Sequence, residues 1–307
     1  MIGLELDQAI PVFARITTLA AAYGIDAAAL LDRLTAVAPE VSEEALITVP
    51  GTFDRIAVGT RIARGNDGVD RVRVLSSTCD ATQPARLEQL ARAETRDLWV
   101  EIESVPHDLQ AFAITVSAYG KRVLSSDLGR LAGFGVPGEL IKQLDELTTT
   151  LVGRDKLIGL ADRADTAGAR TWTIQVAHRN ADAQQRAATV SQIRSVATTL
   201  GVTEAQRNVV IGLHDTFAAG RDSYSWLRVR EHKPGIELGV LWSDVAWEHV
   251  VNMMLSFYPN SGASIRLGEL AGAFGADAAA GVELELGSTS LPGMRISVTL
   301  TKGRSQS

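Results

Sequence analysis

The sequence predicts an α+β protein built from two α/β-sandwich halves, each a mixed or antiparallel sheet that helices cover on one face. Two observations support this fold class. First, segments in which apolar residues recur at helical spacing alternate with segments in which apolar and polar residues alternate one by one. Second, several alternating segments follow each other across short turns, which is typical of hairpins and therefore of antiparallel strands.

Composition and charge exclude several classes of protein. The chain has 307 residues, of which 46% are hydrophobic and 21% are charged, and this is enough apolar material for a buried core. The net charge of −6 disfavours a nucleic-acid partner, because binding to a phosphate backbone needs a basic face. The one cysteine, Cys79, cannot form an internal disulfide, which excludes a disulfide-stapled scaffold.

The sequence also shows no signal for a membrane or for export. No apolar run approaches the length of a membrane-spanning helix. Glu5 and Asp7 lie near the start, where a signal peptide has lysine or arginine. We therefore expect a cytoplasmic protein with no membrane partner.

The first half, residues 1–152, is predicted to mix helices and strands. Two helices are expected within residues 8–34, with Asp26 as the N-cap of the second, because apolar residues recur there at helical spacing. Two prolines indicate connecting structure over residues 38–51. The remaining predictions are a tight turn over 64–68, strands over 69–75, 99–103 and 112–116, and helices over 82–95 and 139–147.

A linker is predicted over residues 153–170, and the second half, residues 171–307, follows it. In that half Gly201 ends a long helix, and the side chain of Thr203 caps the next one. The predicted elements are a strand over 171–176, helices over 183–200 and 204–219, a hairpin of strands 225–231 and 236–242, a helical region over 243–281, and a hairpin of strands 282–286 and 294–300.

Two pairs of similar segments suggest an internal repeat. Residues 19–26 are similar to residues 196–203. Residues 99–102 and the hairpin after them are similar to residues 226–229 and their hairpin, but this second pair is separated by a shorter stretch of chain than the first. Because a simple tandem copy requires the same separation in both pairs, we interpret the similarities as a coincidence of helix-turn-helix and hairpin patterns.

The order of elements in residues 171–302, with the segment Leu200-Gly201-Val202-Thr203-Glu204 between two helices, resembles the GHKL ATPase superfamily. The resemblance is greatest to the anti-sigma-factor serine kinases of bacteria. Residues 262–274 and the alternating strands that end at residue 300 are similar to the closing αββ unit of that family. The resemblance implies a GHKL-like sandwich in the second half.

The motifs that carry the chemistry of that family are altered here. The family's Glu, which orients the attacking group, corresponds to Asp215, and its Mg²⁺-binding Asn corresponds to Ala219, which has no ligand oxygen. At the place of the adenine-binding Asp-x-Gly-x-Gly box, residues 241–246 contain one acid and no glycine, and Trp242 would fill the adenine space. The resemblance therefore implies a GHKL-like scaffold without ATP chemistry.

Glycines are the remaining candidates for contact with a nucleotide. Gly133, Gly135 and Gly138 are similar to the glycine-rich lid of the family and precede a helix N-terminus, which can hold phosphate. In the second half the resemblance gives Gly262 and Gly268 the same role. A plain strand-to-helix turn explains the first three glycines as well. If both halves are GHKL-like, the chain is a pseudo-symmetric pair of degenerate domains.

The five histidines predict no metal centre, because none forms a close pair with another and none has a cysteine partner. His107 and His232 lie in predicted hairpin turns. His214 precedes Asp215, but sequence neighbours point to different faces of a helix. That geometry favours a structural histidine over a catalytic pair.

Taken together, the sequence predicts a non-catalytic bacterial regulatory or scaffold protein that holds protein partners through a degenerate GHKL-like domain, as a homo-oligomer and without a cofactor. The alternative is a serine kinase or ATPase of the anti-sigma type that uses ATP and Mg²⁺, with Asp215 as the base and the glycines on the phosphates. A small-molecule enzyme with a site between the halves is a third alternative, for which the sequence contains no recognisable set of residues.

Overall fold

The computed structural model describes most of the chain, and the described part contains seven helices and ten strands. The described residues are 12–37, 44–52, 54–62, 66–79, 98–120, 132–133, 135–149, 157–219, 223–232, 235–259, 268, 280–287 and 292–301. The helices are α1 (Val12–Ala22), α2 (Ala27–Val37), α3 (Asn66–Cys79), α4 (Gly138–Thr149), α5 (Ala183–Thr199), α6 (Glu204–Phe217) and α7 (Trp247–Phe257). The strands are β1 (Glu44–Pro50), β2 (Ile56–Ile62), β3 (Leu98–Val105), β4 (Asp108–Gly120), β5 (Leu157–Asp165), β6 (Arg170–Arg179), β7 (Tyr224–His232), β8 (Gly235–Val245), β9 (Ala280–Leu286) and β10 (Gly293–Thr301).

The ten strands form one closed antiparallel barrel. Each strand pairs with its neighbours in the chain, and β1 closes the barrel by pairing with β10, from Glu44 opposite Thr301 to Pro50 opposite Arg295. Closure leaves no strand with an unpaired edge, so every strand has partners on both sides.

The chain builds the barrel from five hairpins, β1–β2, β3–β4, β5–β6, β7–β8 and β9–β10. The turns within these hairpins lie at one end of the barrel, which we call the hairpin end. At the opposite end, which we call the helical end, the chain leaves one hairpin, passes through helices and enters the next. Antiparallel strands alternate in direction, so this arrangement follows from the order of the elements.

The outer face of the barrel is apolar, and the helices cover it. On β3 and β4 the residues at alternate positions Val100, Ile102, Ile114 and Val116 are fully buried. Helix α2 packs on β2 and β3, α3 on β4 and β5, α5 on β6, α6 on β8, and α7 on β9. The main hydrophobic core therefore lies between the barrel and the helices around it, and burial of this apolar area is the main stabilising contribution.

The inner face of the barrel has the opposite character. Because side chains alternate between the two faces of a strand, the neighbours of the outer residues point inward. Glu101 on β3, Arg163 on β5, Arg228 on β7, Glu283 on β9 and Arg295 on β10 occupy such positions, and the strand registers place them on one face. The barrel interior is thus lined by charged side chains.

The predicted fold class is wrong. The structure is a single closed barrel to which the strands of both predicted halves contribute, whereas we expected two sandwiches, the second of them GHKL-like. The local signals for hairpins and covering helices were present in the sequence. The pairing of β1 with β10 joins segments from opposite ends of the chain, and local periodicity contains no information on such a contact.

Several element predictions are also corrected. Residues 38–51 contain strand β1 in addition to connecting structure, and the predicted strand 69–75 lies within helix α3. In that helix Val72 is buried and Val74 is 66% exposed. The two valines therefore do not share one face, as they would in a strand in which arginine and valine alternate. The predicted linker 153–170 contains β5, which pairs with β4 and β6. The predicted helix 82–95 lies outside the described residues.

The predicted hairpins and most predicted helices are confirmed. Strands 99–103 and 112–116 lie within β3 and β4, and the pairs in the second half lie within β7–β8 and β9–β10. Thr203 caps α6 by accepting a hydrogen bond from the backbone N–H of Gln206 at 3.3 Å. In the described part of the chain no helix is long and apolar enough to cross a membrane.

The similarity between residues 19–26 and 196–203 corresponds to a repeated structure. Gly24 after α1 and Gly201 after α5 both have a left-handed backbone, with φ of +67° and +71°. Each is followed by an N-cap, Asp26 or Thr203, that accepts from a backbone N–H three residues on. The C-terminal hydrogen bonds also match: Gly24 to Ala21, Ile25 to Ala20, Gly201 to Thr198 and Val202 to Ala197. The other similarity relates β3 to β7, each of which is the first strand of a hairpin.

Candidate functional site

The largest described group of ion pairs in the barrel interior joins β7, β9 and β10. Arg228 donates from Nη1 to Oε2 of Glu283 at 2.7 Å, and Nη2 of Arg230 lies 3.4 Å from Oε1 of the same carboxylate. Glu285 Oε1 lies 2.5 Å from both Arg230 Nη1 and Arg295 Nε. Five side chains from three strands are thereby linked by ion pairs, and charge-assisted hydrogen bonds such as that from Arg228 to Glu283 are stronger than neutral ones.

A second group joins β3 and β5 near the hairpin end. Arg163 donates from Nη2 to Oε1 of Glu103 at 2.9 Å, and Nη1 of Arg55 reaches the same oxygen at 3.4 Å. Arg163 also pairs with Asp165 at 3.1 Å. Burial pushes the pKa of Glu103 upward, but the charges of Arg163 and Arg55 outweigh burial and hold that pKa below its usual value. Glu103 therefore stays ionised at neutral pH.

Solvent reaches several of these side chains. Arg163, Arg228 and Arg295 keep 28%, 23% and 29% of their side-chain surface exposed, whereas Glu283 between two guanidinium groups keeps 2%. The barrel interior is therefore a polar space that water enters, with its most buried carboxylate held between arginines.

Glycines at inward positions make room for the large side chains. A Cβ at Gly239 would lie 2.4 Å from Oε1 of Glu283, and a Cβ at Gly159 would lie 2.6 Å from the side chain of Gln175. Real Cβ atoms do not approach neighbours this closely, so glycine is required at both positions for this arrangement. Small residues facing large ones is the usual way in which a narrow barrel is filled.

Glu101 differs from the other carboxylates of the barrel interior. Within the described part of the chain it makes no ion pair and no hydrogen bond, although it lies between Gly59 and Thr115 on the neighbouring strands. Burial raises the pKa of Glu101, with the charge of Arg295 opposing and that of Glu103 adding to the increase. A carboxylate with a raised pKa among the polar side chains of the barrel interior is a candidate functional group.

The helical end of the barrel interior is aromatic. Trp99 precedes Glu101 by two residues and so shares its inward face, and Trp226 holds the equivalent relation to Arg228. The guanidinium carbon of Arg61 lies 6.0 Å from the ring centre of Trp99, at the outer limit of a cation–π contact. Glu101 thus lies between an ion-paired region and a region of indole rings.

The sequence contained a signal for this interior that sequence reasoning missed. Residues 100–103 read Val-Glu-Ile-Glu, and residues 282–285 read Val-Glu-Leu-Glu. The structure places both segments in equivalent hairpins, with their acids inward and their aliphatic residues outward. Alternation predicted both strands, but without the barrel it did not show that the polar face is enclosed.

A separate polar cluster is buried between the barrel and helices α5 and α6. The indole N–H of Trp242 donates to Nδ1 of His214 at 3.2 Å, so His214 carries its proton on Nε2 when neutral. Ser225 lies 3.4 Å from the same Nδ1 and accepts from the amide of Asn180 at 2.8 Å. Thr189 donates to Asn180 at 3.1 Å, which connects α5 to this network.

Two histidines of this cluster are closed off from solvent. His214 is 0% exposed and His178 is 4% exposed, and Nε2 of each has no hydrogen-bond partner among the described residues. Burial, with the charge of His214 as a smaller cause, lowers the pKa of His178 to about 4, and burial also lowers the pKa of His214. Both are neutral at pH 7, and Ser225 beside His214 has no access to a substrate, so the cluster is structural.

The residues singled out from the resemblance lie apart from the barrel interior. Asp215 is exposed on α6, while its neighbour His214 is buried, as the helix geometry predicted. Gly133, Gly135 and Gly138 are exposed at and before the start of α4, and Gly135 has a φ of +80°. Gly268 is exposed, and Gly262 lies outside the described residues. The structure brings Asp215 and these glycines together in no described pocket.

Trp242, which the resemblance placed in the adenine space, is 2% exposed and belongs to the core. In the described ranges no group of three or more histidine, cysteine or carboxylate residues could hold a metal ion.

No protein-family model and no curated protein matches the chain.

Proposed function

We propose that this protein is a non-catalytic binding protein whose barrel interior holds a small organic cation through Glu101. One observation carries the proposal. Of the inward carboxylates whose side chains the structure describes, five form an ion pair with arginine, and Glu101 forms none. The five are Glu103, Asp165, Glu237, Glu283 and Glu285.

The charges around Glu101 favour a cationic ligand over an anionic one. Arg228 and Arg295 influence Glu101, but each is already in contact with another carboxylate, at 2.7 Å and 2.5 Å. Glu103 and Glu283 add negative charge on the same side. An ammonium group beside Glu101 would supply the missing counter-charge and offset the cost of a carboxylate without a partner.

The surroundings of Glu101 also indicate what the rest of the ligand is. Gly59 lies opposite Glu101 on β2 and contributes no side chain, so no group at that position competes with a ligand for the carboxylate. Trp99 lies towards the helical end, where an indole face attracts both apolar groups and cations. A primary amine with an aromatic or aliphatic body matches both features.

A protein that binds a ligand without transforming it agrees with the regulatory or scaffold role predicted from the sequence. In that role the bound cation would alter how the protein holds a protein partner. The partner and the homo-oligomer remain predictions.

Titration of the whole chain with benzylamine, followed by calorimetry and by tryptophan fluorescence, tests this function. We expect saturable binding with a change in fluorescence, because Trp99 faces the same space as Glu101. Glu101→Gln keeps the size of the side chain but removes the charge, and it is expected to weaken binding by about tenfold or more.

Two controls make the result specific. Glu248→Gln changes an exposed carboxylate on α7 and is expected to leave the affinity unchanged. Benzyl alcohol, which has the same ring without the charge, is expected not to bind. Equal affinities of the wild type and Glu101→Gln for benzylamine would contradict the proposal, as would a lack of binding by the wild type.

A further inference from the structure

We propose that the cation held by Glu101 is a guanidinium compound, whose guanidinium group takes the place of an arginine that one side of the barrel has and the other lacks. This ligand class rests on the proposed function, since it names the kind of cation that the interior site binds. It follows from two stretches of the barrel wall that share one plan.

Strands β1–β4 and β7–β10 are built on the same plan. In each set a helix-turn-helix precedes the first hairpin and another helix precedes the second hairpin. The pattern Val-Glu-aliphatic-Glu recurs in β3 and β9 and makes Glu101 the counterpart of Glu283. The neighbouring strands give the matching register, in which Gly59 on β2 pairs with Glu101 and Leu241 on β8 pairs with Glu283.

This register identifies the counterpart of Arg228, which donates to Glu283. Two residues from Leu241 towards the hairpin end, β8 pairs with Arg228 of β7. Two residues from Gly59 in the same direction, β2 pairs with Thr48 of β1. Thr48 therefore stands where the second set of strands has an arginine.

The other side of the carboxylate differs in the same way. Glu283 pairs with Arg295 on β10, whereas Glu101 pairs with Thr115 on β4. Two arginines near the first carboxylate thus correspond to two threonines near the second. The protein supplies Glu283 with a guanidinium group and leaves the equivalent position at Glu101 without one.

The contacts of Arg228 show how a guanidinium group is held at this position. Its Nη1 donates to Oε2 of Glu283 at 2.7 Å, and its Nε donates to Oε1 of Gln175 at 2.9 Å. Gln175 pairs with Arg228 in the register, as Ser297 pairs with Thr48. Ser297 is therefore the counterpart of the second acceptor.

The groups around Glu101 are available to a ligand. Glu101, Thr115 and Ser297 each keep part of their surface exposed to solvent. The hydroxyl oxygens of Ser297 and Thr48 lie 3.1 Å apart, and the one that donates within this pair can still accept a hydrogen bond. A carboxylate and a hydroxyl acceptor thus repeat the two acceptors that hold Arg228.

A guanidinium group suits two such acceptors better than an ammonium group does. Its N–H donors lie in one plane with fixed directions, so it can donate to a carboxylate and to a second acceptor at once. An ammonium group is a compact and strongly hydrated charge, which loses more hydration on entering the barrel.

Calorimetric titration of the whole chain with benzylguanidine and with benzylamine tests the ligand class, because both compounds carry the same ring. We expect benzylguanidine to bind about tenfold more tightly. Equal affinities, or tighter binding of benzylamine, would overturn the guanidinium assignment and leave the proposed function standing. Failure of the wild type to bind either compound would contradict both.

The double variant Thr48→Arg/Ala57→Gly tests the position by rebuilding the wall around Glu283 at Glu101. The second substitution is included because Ala57 occupies the place of Gly239, where a Cβ would lie 2.4 Å from the carboxylate of Glu283. The introduced guanidinium is expected to occupy the site and weaken benzylguanidine binding at least tenfold. Unchanged binding would overturn the assignment of the position.

A matched variant separates charge from size. Thr48→Met/Ala57→Gly introduces a long side chain without a charge. The arginine variant is expected to unfold at a higher urea concentration than the methionine variant, and the difference is expected to vanish when Glu101→Gln is added to both. Equal unfolding midpoints without that addition would contradict the ion pair. Thr17→Arg, on the exposed face of α1, is expected to bind benzylguanidine as the wild type does.

Discussion

Individual polar residues in this protein have very different surroundings on the two faces of the barrel wall. Glu283 faces inward and has two arginines within 3.4 Å, whereas His214 of α6 packs on the outer face of the barrel and accepts a hydrogen bond from Trp242. The charges of the arginines compensate the burial of the Glu283 carboxylate, whereas His214 avoids the cost of a buried charge by remaining neutral. The neutral histidines make a prediction about pH.

The buried histidines predict a loss of stability in mild acid. The folded pKa of His178 is about 4 and lies below its ordinary value of 6.5, so between these pH values the unfolded chain binds a proton that the folded chain does not. The contribution of the neutral His178 to the free energy of unfolding is therefore fully present above pH 6.5. It is lost progressively as the pH falls towards 4. The expected slope is about 1.4 kcal/mol per pH unit for His178.

Urea unfolding of the wild type and of His178→Gln across this pH range measures the effect. The variant is expected to show a shallower slope, since its amide does not titrate. His249→Gln, which alters an exposed histidine on α7, is the control and is expected to keep the slope of the wild type. Identical slopes for all three proteins would show that the buried histidines do not cause the pH dependence.

Residue-level sequence reasoning succeeded where one local rule decided the outcome. Thr203 as an N-cap and His214 as a structural histidine both follow from the geometry of one helix. The role of Glu101 could not be predicted in this way, because its isolation depends on which arginines from β5, β7 and β10 the other carboxylates have taken.

At the scale of elements, the chain uses the same helix-turn-helix twice, before β1 and before β7. Both turns have a left-handed glycine and an N-cap two residues later. Their surroundings differ, because Gly24 lies against His107 whereas a Cβ at Gly201 would have nothing within 4 Å. The same substitution in the two copies therefore separates the cost of backbone conformation from the cost of a clash.

Gly201→Ala is expected to lower the free energy of unfolding by about 1 kcal/mol, the cost of a left-handed alanine. Gly24→Ala is expected to cost more, since its Cβ would lie 2.7 Å from the imidazole. Gly212→Ala, in the helical part of α6 with open space around it, is expected to be stabilising. Denaturant unfolding measures all three, and equal costs for Gly24→Ala and Gly201→Ala would contradict the contact with His107.

The elements also show where periodicity was sufficient and where it was not. The final hairpin was predictable because Val282 and Leu284 alternate with Glu283 and Glu285. Helix α3 was predicted as a strand because arginine and valine alternate there, but of Val72 and Val74 only Val72 is buried in the structure. Tertiary packing decided the outcome in α3, and propensity did not.

At the scale of the whole molecule, ten strands with one apolar and one charged face close into a barrel whose core lies outside the wall. The sequence indicated the hairpins, but the closure of β1 on β10 and the enclosure of the charged faces required the structure. The central claim that follows is that the barrel interior holds a cation at its one unpaired described carboxylate, Glu101.

The dependence of benzylamine affinity on pH tests this claim most directly. Burial raises the pKa of Glu101, so the carboxylate becomes available to a cation only as the pH rises through that pKa. We predict that the wild type binds more tightly as the pH rises through the pKa of Glu101 and then reaches a plateau, while Glu101→Gln binds weakly at every pH. An affinity that does not change with pH, or a Glu101→Gln variant with the profile of the wild type, would contradict it.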